Sequence, residues 1–285
     1  MTANLPADLD ADEVNRIVDA AIAEDVGKGD ITSRAVIPEE TDFEGVMAAR
    51  EPVVVAGLGI ARLVFEKLSP GISFEALAAE GEAVETGTAL ARISGPAGEL
   101  LAAERTAINF VQHLSGIATL TRVYADAIAS ENTVLLDTRK TIPGLRQLEK
   151  YATRMGGATN HRMRLDDGVL IKDNHVAVAG GIGEAVRRAI DAGLKHVEVE
   201  CDTLEQVAEA AESGAERILL DNMSPDDMRR AVEIIDNRCT TEASGNVTLD
   251  NIKAVAASGV DYVSVGRLTH SAPAANIGLD WTPAG

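Results

Sequence analysis

From residue 133 onward, short apolar runs and helical stretches alternate at nearly constant spacing, a pattern that few folds accept. The runs are 133–137 (TVLLD), 168–172 (GVLIK), 196–200 (HVEVE), 217–221 (RILLD), 239–243 (CTTEA) and 262–266 (YVSVG). Helical periodicity fills 144–154, 181–192, 203–213, 225–235 and 248–257. The last four runs begin about 22 residues apart, which is one strand and one helix per repeat. Repeated strand–helix units build a parallel sheet, and six strands predict an incomplete, open α/β barrel. A doubly wound open sheet is the alternative, although no GxGxxG follows any of the strands.

The first half reads differently. Val14, Ile17, Val18, Ala21 and Ile22 recur at helical spacing behind Asp10 or Asp12, either of which can cap the helix, and Gly27 ends it. The loop 24–33 (EDVGKGDITS) follows, then a strand, a Gly-rich turn and a helix over 44–66. Residues 72–95 are short and turn-punctuated, as in a small antiparallel sheet. Their EGEAVETGTALARISG segment is similar to a lipoyl-type hairpin, but no lysine sits at its turn, which argues against a carrier module. A long apolar-periodic helix is expected over 101–129, interrupted at Ser115-Gly116 and bridging two domains. No apolar run reaches the roughly 18 residues a membrane span needs. The acidic N-terminus lacks the basic region of a signal peptide, and Cys201 and Cys239 stand alone without metal-ligand spacing. Both features predict a cytoplasmic protein with reduced thiols.

Charge narrows the functional classes. The chain has 26 Lys and Arg against 45 Asp and Glu, yet residues 139–172 hold eight cations and three acids. Everything outside that island is 18 cations against 42 acids. Cations gathered on an acidic protein indicate a local site for a small anion, since nucleic acid would need a broad basic face. One solvated basic helix over 144–154 would account for Arg146, Lys150 and Arg154, but not for Arg139-Lys140, His161-Arg162 or Lys172 at the edges of apolar runs.

The predicted strands end on Asp137-Thr138-Arg139-Lys140, Lys172 to His175, Glu200, Asp221-Asn222, Glu242 to Asn246, and Gly266-Arg267. In parallel barrels these edges converge on one face, where active sites form. Arg139, Arg162, Lys140, Lys172 and His161 can hold a substrate with more than one negative group, arginine as a planar fork and lysine as a point charge. Glu200 and Asp221, on adjacent strands, are spaced for two hydroxyls or for a Mg²⁺ shell. EASGN (242–246) and SVGRLTHS (264–271) bring glycine and backbone N–H groups to the rim at the last two strands, the usual phosphate cradle of such barrels.

Taken together, EDVGKGDIT, AERTAINFVQHLSGIAT, DTRKTIPGLRQLEKYA, GGATNHRMRLDD, LIKDNH, EVE, ILLDN, EASGNV, GVDYVSVGRLTHS and IGLD resemble the quinolinate phosphoribosyltransferase family over nearly the whole chain. The resemblance implies an N-terminal α/β sandwich domain (1–108, with 270–285 packing back on it) and an open α/β barrel (109–269) that carries the active site. It implies a pentosyl (glycosyl) transferase of NAD biosynthesis, working with Mg²⁺. Its substrates are quinolinate and phosphoribosyl pyrophosphate, and its partner is a second copy of the chain. By position, Arg105 matches an arginine donated across that dimer to the substrate carboxylate. Arg139, His161 and Arg162 match the quinolinate pocket, Thr138 is a further substrate-binding residue, and Lys140 and Lys172 match the cations between the two substrates. Glu200 and Asp221 match the ribose-side and Mg²⁺-side acids. Ser244, Gly245, Asn246, Val265, Gly266 and Arg267 match the 5-phosphate loops, Arg267 standing where a small residue is expected. With its two carboxylates, quinolinate asks for more cations than nicotinate, the substrate of a related phosphoribosyltransferase.

Overall fold

The computed structural model describes residues 5, 6, 9–38 and 40–283. In chain order they form α1 (Ala11–Val26), α2 (Ile31–Val36), β1 (Asp42–Ala49), β2 (Val53–Val54), α3 (Leu58–Leu68), β3 (Ser73–Ala76), β4 (Ala83–Val84), β5 (Ala89–Pro96) and α4 (Ala97–Ala127). Then follow β6 (Val134–Leu136), α5 (Arg146–Gly156), β7 (Leu170–Ile171), α6 (Asp173–Ala179), α7 (Ile182–Asp191), β8 (Glu198–Cys201) and α8 (Leu204–Glu212). The chain ends with β9 (Arg217–Asp221), α9 (Pro225–Ile235), β10 (Thr240–Ser244), α10 (Ile252–Ala256), β11 (Tyr262–Ser264), α11 (Arg267–His270) and β12 (Ile277–Pro283). These elements divide into two compact units. One comprises residues 1–122, 141–157 and 269–285, the other 123–140 and 158–268, so the residue-109 position expected for the domain switch lies inside the continuous helix α4.

In the first unit an antiparallel sheet in the order β12-β1-β5-β3 meets a layer of helices, an α/β sandwich. Its core is aliphatic: Val14, Ile17 and Val18 of α1, Ile60, Val64 and Phe65 of α3, Met47 of β1 and Ile93 of β5 are buried. Asp10 caps α1 by accepting from the Asp12 and Glu13 amides, so of the two cap residues the sequence allowed, Asp10 serves. The expected loop over 24–33 is half helix, because Asp30 caps α2 through the amides of Thr32 and Ser33.

The interruption expected in the long helix is absent. Helix α4 runs unbroken through Ser115-Gly116, because both residues are there for packing. The Ser115 hydroxyl accepts from the Ala56 amide at 3.0 Å and donates to the Ala56 carbonyl at 3.1 Å. Gly116 gives room to the segment before β12, whose Ala275 amide donates to the Gln112 carbonyl at 2.9 Å. The basic helix α5 is also no solvated face: Lys150 and Glu149 are fully buried, and Glu149 accepts from the Ile142 amide.

The second unit is one parallel sheet in the order β6-β11-β10-β9-β8-β7, with Thr159 bridging to Leu136 beside β6. Residues in register on parallel neighbours point to the same side. Register therefore sorts the strands into two faces. Val199, Cys201, Ile218, Leu220, Ala243, Val263 and Leu135 share the apolar face and are all buried. Helices α8 and α10 pack on β8, β9 and β11. The other face carries Glu198, Glu200, Arg217, Asp221, Glu242, Ser244, Tyr262 and Ser264, with Leu136, Leu170 and Leu219 among them, and it is mostly polar. His161, beside one edge of the sheet, bonds to Glu198 on β8, next to the opposite edge. Only a sheet curled around its polar face allows that contact, and the result is an open α/β barrel.

A Cβ added at Gly116 would overlap the Pro273 carbonyl oxygen. Helix propensity alone would favour Gly116→Ala by roughly 1 kcal/mol, but forced overlap with backbone costs about 1–3 kcal/mol. The overlap wins, and thermal denaturation should show a lowered Tm for Gly116→Ala.

Candidate active site

Each strand of the barrel ends in a capped helix or a tight polar turn, which fixes the side chains at its C-terminal edge. Thr203 and Gln206 cap α8 reciprocally, and Ser224 caps α9 ahead of Pro225. After β9, Asn222 adopts φ 56° and its amide donates to the Ser244 carbonyl at 3.0 Å. Its side chain donates to Asp221 at 2.6 Å and accepts from Asn246 at 2.8 Å. Gly245 lies between them at φ 84°, where an added Cβ would overlap Asn222 Oδ1 and come within 2.9 Å of the Asn222 nitrogen. The 244–246 turn thus needs glycine for both its dihedral and its clearance.

Beside this turn, Lys172 Nζ reaches Glu200 Oε2 at 2.6 Å. Burial raises the Asp221 carboxyl above the usual range, and the nearby charges of Glu200 and Asp202 push it further, while Lys172 opposes them. Lys172, Glu200 and Asp221 therefore form one electrostatic group. On the other side of the rim, burial lowers the Arg162 guanidinium pKa, and repulsion from the neighbouring Arg139 lowers it again. Arg162 also donates to the Gly168 carbonyl at 2.8 Å. The Lys140 amide donates to Thr138 Oγ1 at 3.0 Å, tightening the turn after β6. Val265 is buried and its amide donates to the Leu136 carbonyl, so its N–H, expected in the phosphate cradle, is committed to the sheet; Gly266 and Arg267 follow it, Arg267 opening α11. Arg105 lies on an exposed face of α4 in the first unit.

Inside the barrel is a cluster the sequence reading did not assemble. His161 Nε2 lies 3.1 Å from Glu198 Oε2 and 3.4 Å from Glu242 Oε2. Arg217 reaches Glu242 at 3.5 Å and stacks over the Tyr262 ring, 4.0 Å from its centroid. Burial opposes charge on the imidazole, but hydrogen bonds and charge from Glu198 and Glu242 overcome it and raise the His161 pKa to about 9. Burial also raises the Glu198 carboxyl; burial opposes ionisation of Glu242 too, yet His161, Ser264 and Arg217 together bring it below its ordinary value. The Arg162 amide, however, donates to His161 Nδ1 at 2.7 Å. An Nδ1 that accepts a hydrogen bond cannot also carry a proton, so this contact holds the ring neutral with its one proton on Nε2, against the charged form that Glu198 and Glu242 favour. His161, Glu198 and Glu242 have the composition of a metal site, but a protonated Nε2 has no lone pair to give a cation. Glu198 was visible as the residue two before Glu200 on the same strand face. Arg217 carried no signal beyond its place at the start of a strand.

A curled parallel sheet with acids, cations and a Gly-Asn turn at its C-terminal edge defines an α/β-barrel enzyme for a phosphorylated, multiply anionic substrate. Models of the quinolinate phosphoribosyl transferase N-terminal and C-terminal domains match residues 30–115 and 117–280. The chain is 43% identical over 289 residues to the chloroplastic carboxylating nicotinate-nucleotide pyrophosphorylase of Arabidopsis thaliana, covering 94% of this chain and 82% of the relative. The nicotinate-nucleotide pyrophosphorylase structure from Francisella tularensis superposes with TM-score 0.92 at 37% identity, covering 99% of both chains. That from Ehrlichia chaffeensis gives 0.90 at 38%, covering 94% of this chain and 98% of the other. The chain belongs to the quinolinate phosphoribosyltransferase family.

Glu242 is almost fully buried beside Arg217. Breaking a buried pair leaves an uncompensated charge and costs roughly 3–5 kcal/mol. In Arg217→Met, His161 and Ser264 still face Glu242, so urea unfolding should show a smaller loss of roughly 1–3 kcal/mol, and no measurable loss would mean the pair is screened.

Proposed function

We propose that this chain transfers the phosphoribosyl group of phosphoribosyl pyrophosphate to the ring nitrogen of quinolinate. The products are nicotinate mononucleotide, pyrophosphate and CO₂. Beyond family membership, one observation carries the reading. Arg139 and Arg162 stand close enough to repel each other at the rim that also holds Lys172, Glu200 and Asp221. Two partly desolvated guanidiniums held together call for a substrate with two anionic groups, and quinolinate has two carboxylates.

In this reading Arg139 and Arg162 clamp the dicarboxylate, assisted by Thr138, and orient the ring nitrogen toward C1 of the sugar. The nitrogen lone pair forms the new bond as the bond from C1 to the pyrophosphate oxygen breaks, and pyrophosphate leaves with the electron pair. Glu200 and Asp221 hold the ribose hydroxyls and stabilise the oxocarbenium-like charge that develops at C1. Lys140 and Lys172 neutralise the departing pyrophosphate. The backbone of Ser244, Gly245, Asn246, Gly266 and Arg267 cradles the 5-phosphate, with Val265 anchoring the second loop to the sheet. The ring nitrogen carries no proton, so the transfer uses no general base. Loss of CO₂ then leaves an electron pair on the carbon next to N⁺, and a proton completes the product.

Mg²⁺ fits the donor set, since hard carboxylate oxygens lie together there, and burial followed by their mutual repulsion already raises Asp221. Glu200 and Asp221 would hold it, directly or through water and substrate, and when bound it supplies Lewis-acid charge neutralisation to the pyrophosphate. Among the described residues no helix is long and apolar enough to cross a membrane. Two free cysteines and an acidic surface suit a reducing, cytoplasmic setting. Arg105 would serve the site of a partner in a homodimer.

Mass detection of nicotinate mononucleotide from quinolinate, phosphoribosyl pyrophosphate and Mg²⁺ tests the reaction. Replacing quinolinate by nicotinate leaves one cation group unmatched and should cut kcat/KM by roughly a thousandfold; comparable turnover of nicotinate would refute the dicarboxylate reading.

The shared site has its own test. Arg105→Ala and Lys172→Ala should each be inactive alone. Random reassortment makes about half the dimers mixed, each with one intact site of two, so co-expressed chains should recover about a quarter of wild-type activity. No recovery from proven heterodimers would confine Arg105 to its own chain.

A further inference from the structure

His161 belongs by position with the quinolinate pocket, yet both of its ring nitrogens are committed inside the protein. Nε2 faces Glu198 and Glu242, and Nδ1 takes the Arg162 amide. Its backbone is held as firmly: the His161 amide donates to Asp137 Oδ1 at 2.9 Å, and Asn160 Nδ2 donates to Asp137 Oδ2 at 2.5 Å. Asp137 is completely buried. The peptide leading into Arg162 is thus pinned at Asn160, at the His161 amide and through the imidazole.

The imidazole pin works in only one tautomer. With the proton on Nδ1, an N–H would meet the Arg162 N–H across 2.7 Å, while the Nε2 lone pair faced two carboxylate oxygens. Two acids around Nε2 exclude that arrangement more strongly than one would. Both acids are buried, and each keeps a second oxygen, Oε1, without a hydrogen-bond partner. Such acceptors are costly and rare inside proteins, which is unexpected of a cluster that serves packing alone.

We infer that Glu242 and Glu198 are positioning residues for substrate recognition: they lock His161 as the Nε2–H tautomer, Nδ1 captures the Arg162 amide, and the Arg162 side chain is thereby aimed at a carboxylate of the substrate. Arg217, held over Tyr262, keeps Glu242 in place. This rests on the functional reading above for the identity of the substrate, and the lock itself is independent of it.

Long-range ¹H–¹⁵N spectra of histidine-labelled protein test the lock at neutral pH. Of the five histidines, the His161 signals are assigned by their absence in His161→Gln. The expected wild-type pattern has a pyridine-like Nδ1 and a protonated Nε2. An imidazolium pattern, the Nδ1–H tautomer or averaging between tautomers would overturn the proposal. In Glu242→Gln the pattern should average or shift and the KM for quinolinate rise about tenfold, a 1.4 kcal/mol change, with the KM for phosphoribosyl pyrophosphate unchanged. Equal rises in both, with the tautomer intact, would reduce Glu242 to a packing role. If Glu242→Gln does not fold, the wild-type spectrum and Glu198→Gln still decide. If the wild type turned over no quinolinate, the functional reading would fail while the spectrum still judged the lock.

Discussion

The barrel depends on a hydrogen bond that crosses its interior. A parallel sheet with one apolar and one polar face can bury the first under helices, but the second must find partners for its charges or be left in water. Here the sheet curls until His161, beside its β6 edge, meets Glu198 and Glu242 on β8 and β10. Arg217 and Tyr262 extend the network to β9 and β11. Four of the six strands are therefore joined by side chains on the inside as well as by the ladder. An apolar interior of the same volume would be as stable or more so, since desolvation offsets much of what buried pairs return. What the charged interior supplies is direction, because each donor has only one or two acceptors it can face.

The rim inherits that order. Residues that follow the strands are held by short contacts among themselves: Asn222 between Asp221 and Asn246, Lys172 on Glu200, and Arg162 on the Gly168 carbonyl. A site that stabilises a fleeting positive charge on a sugar while gripping two anions cannot reorganise during the reaction. Rigid strands ending in capped helices meet that demand better than free loops do, and the caps at Thr203 and Ser224 stand immediately after two of the site-bearing strands.

Much of this was legible in the residue order. The strand–helix repeat, the parallel sheet and the polar strand ends all followed from periodicity, because in-register strands leave no freedom about which face a residue takes. Local cues failed where tertiary contacts override them. Ser115-Gly116 looks like a helix break and is a packing notch for the segment before β12. The helix 146–156 looks like a wet basic surface, yet Lys150 has no exposed area. Glu198 and Arg217 were hidden for another reason: inside a strand a charged residue reads as an outward-facing one. Only the curl of the sheet shows that their side is an interior.

The order in which the chain leaves the ribosome has a bearing on how it folds. Strand β12 pairs with β1 from Ala49↔Ile277 to Phe43↔Pro283, among the most distant pairings the chain could make. The barrel comes in two pieces, 123–140 and 158–268, and is complete once residue 268 has emerged, whereas the first unit is assembled from three separated pieces. Its sheet stays one strand short, with the flank of β1 unpaired, until synthesis reaches residues 277–283. An open strand flank invites pairing with other chains. During translation, then, β1 emerges long before the strand that covers it, and the hazard of mispairing falls on that early flank.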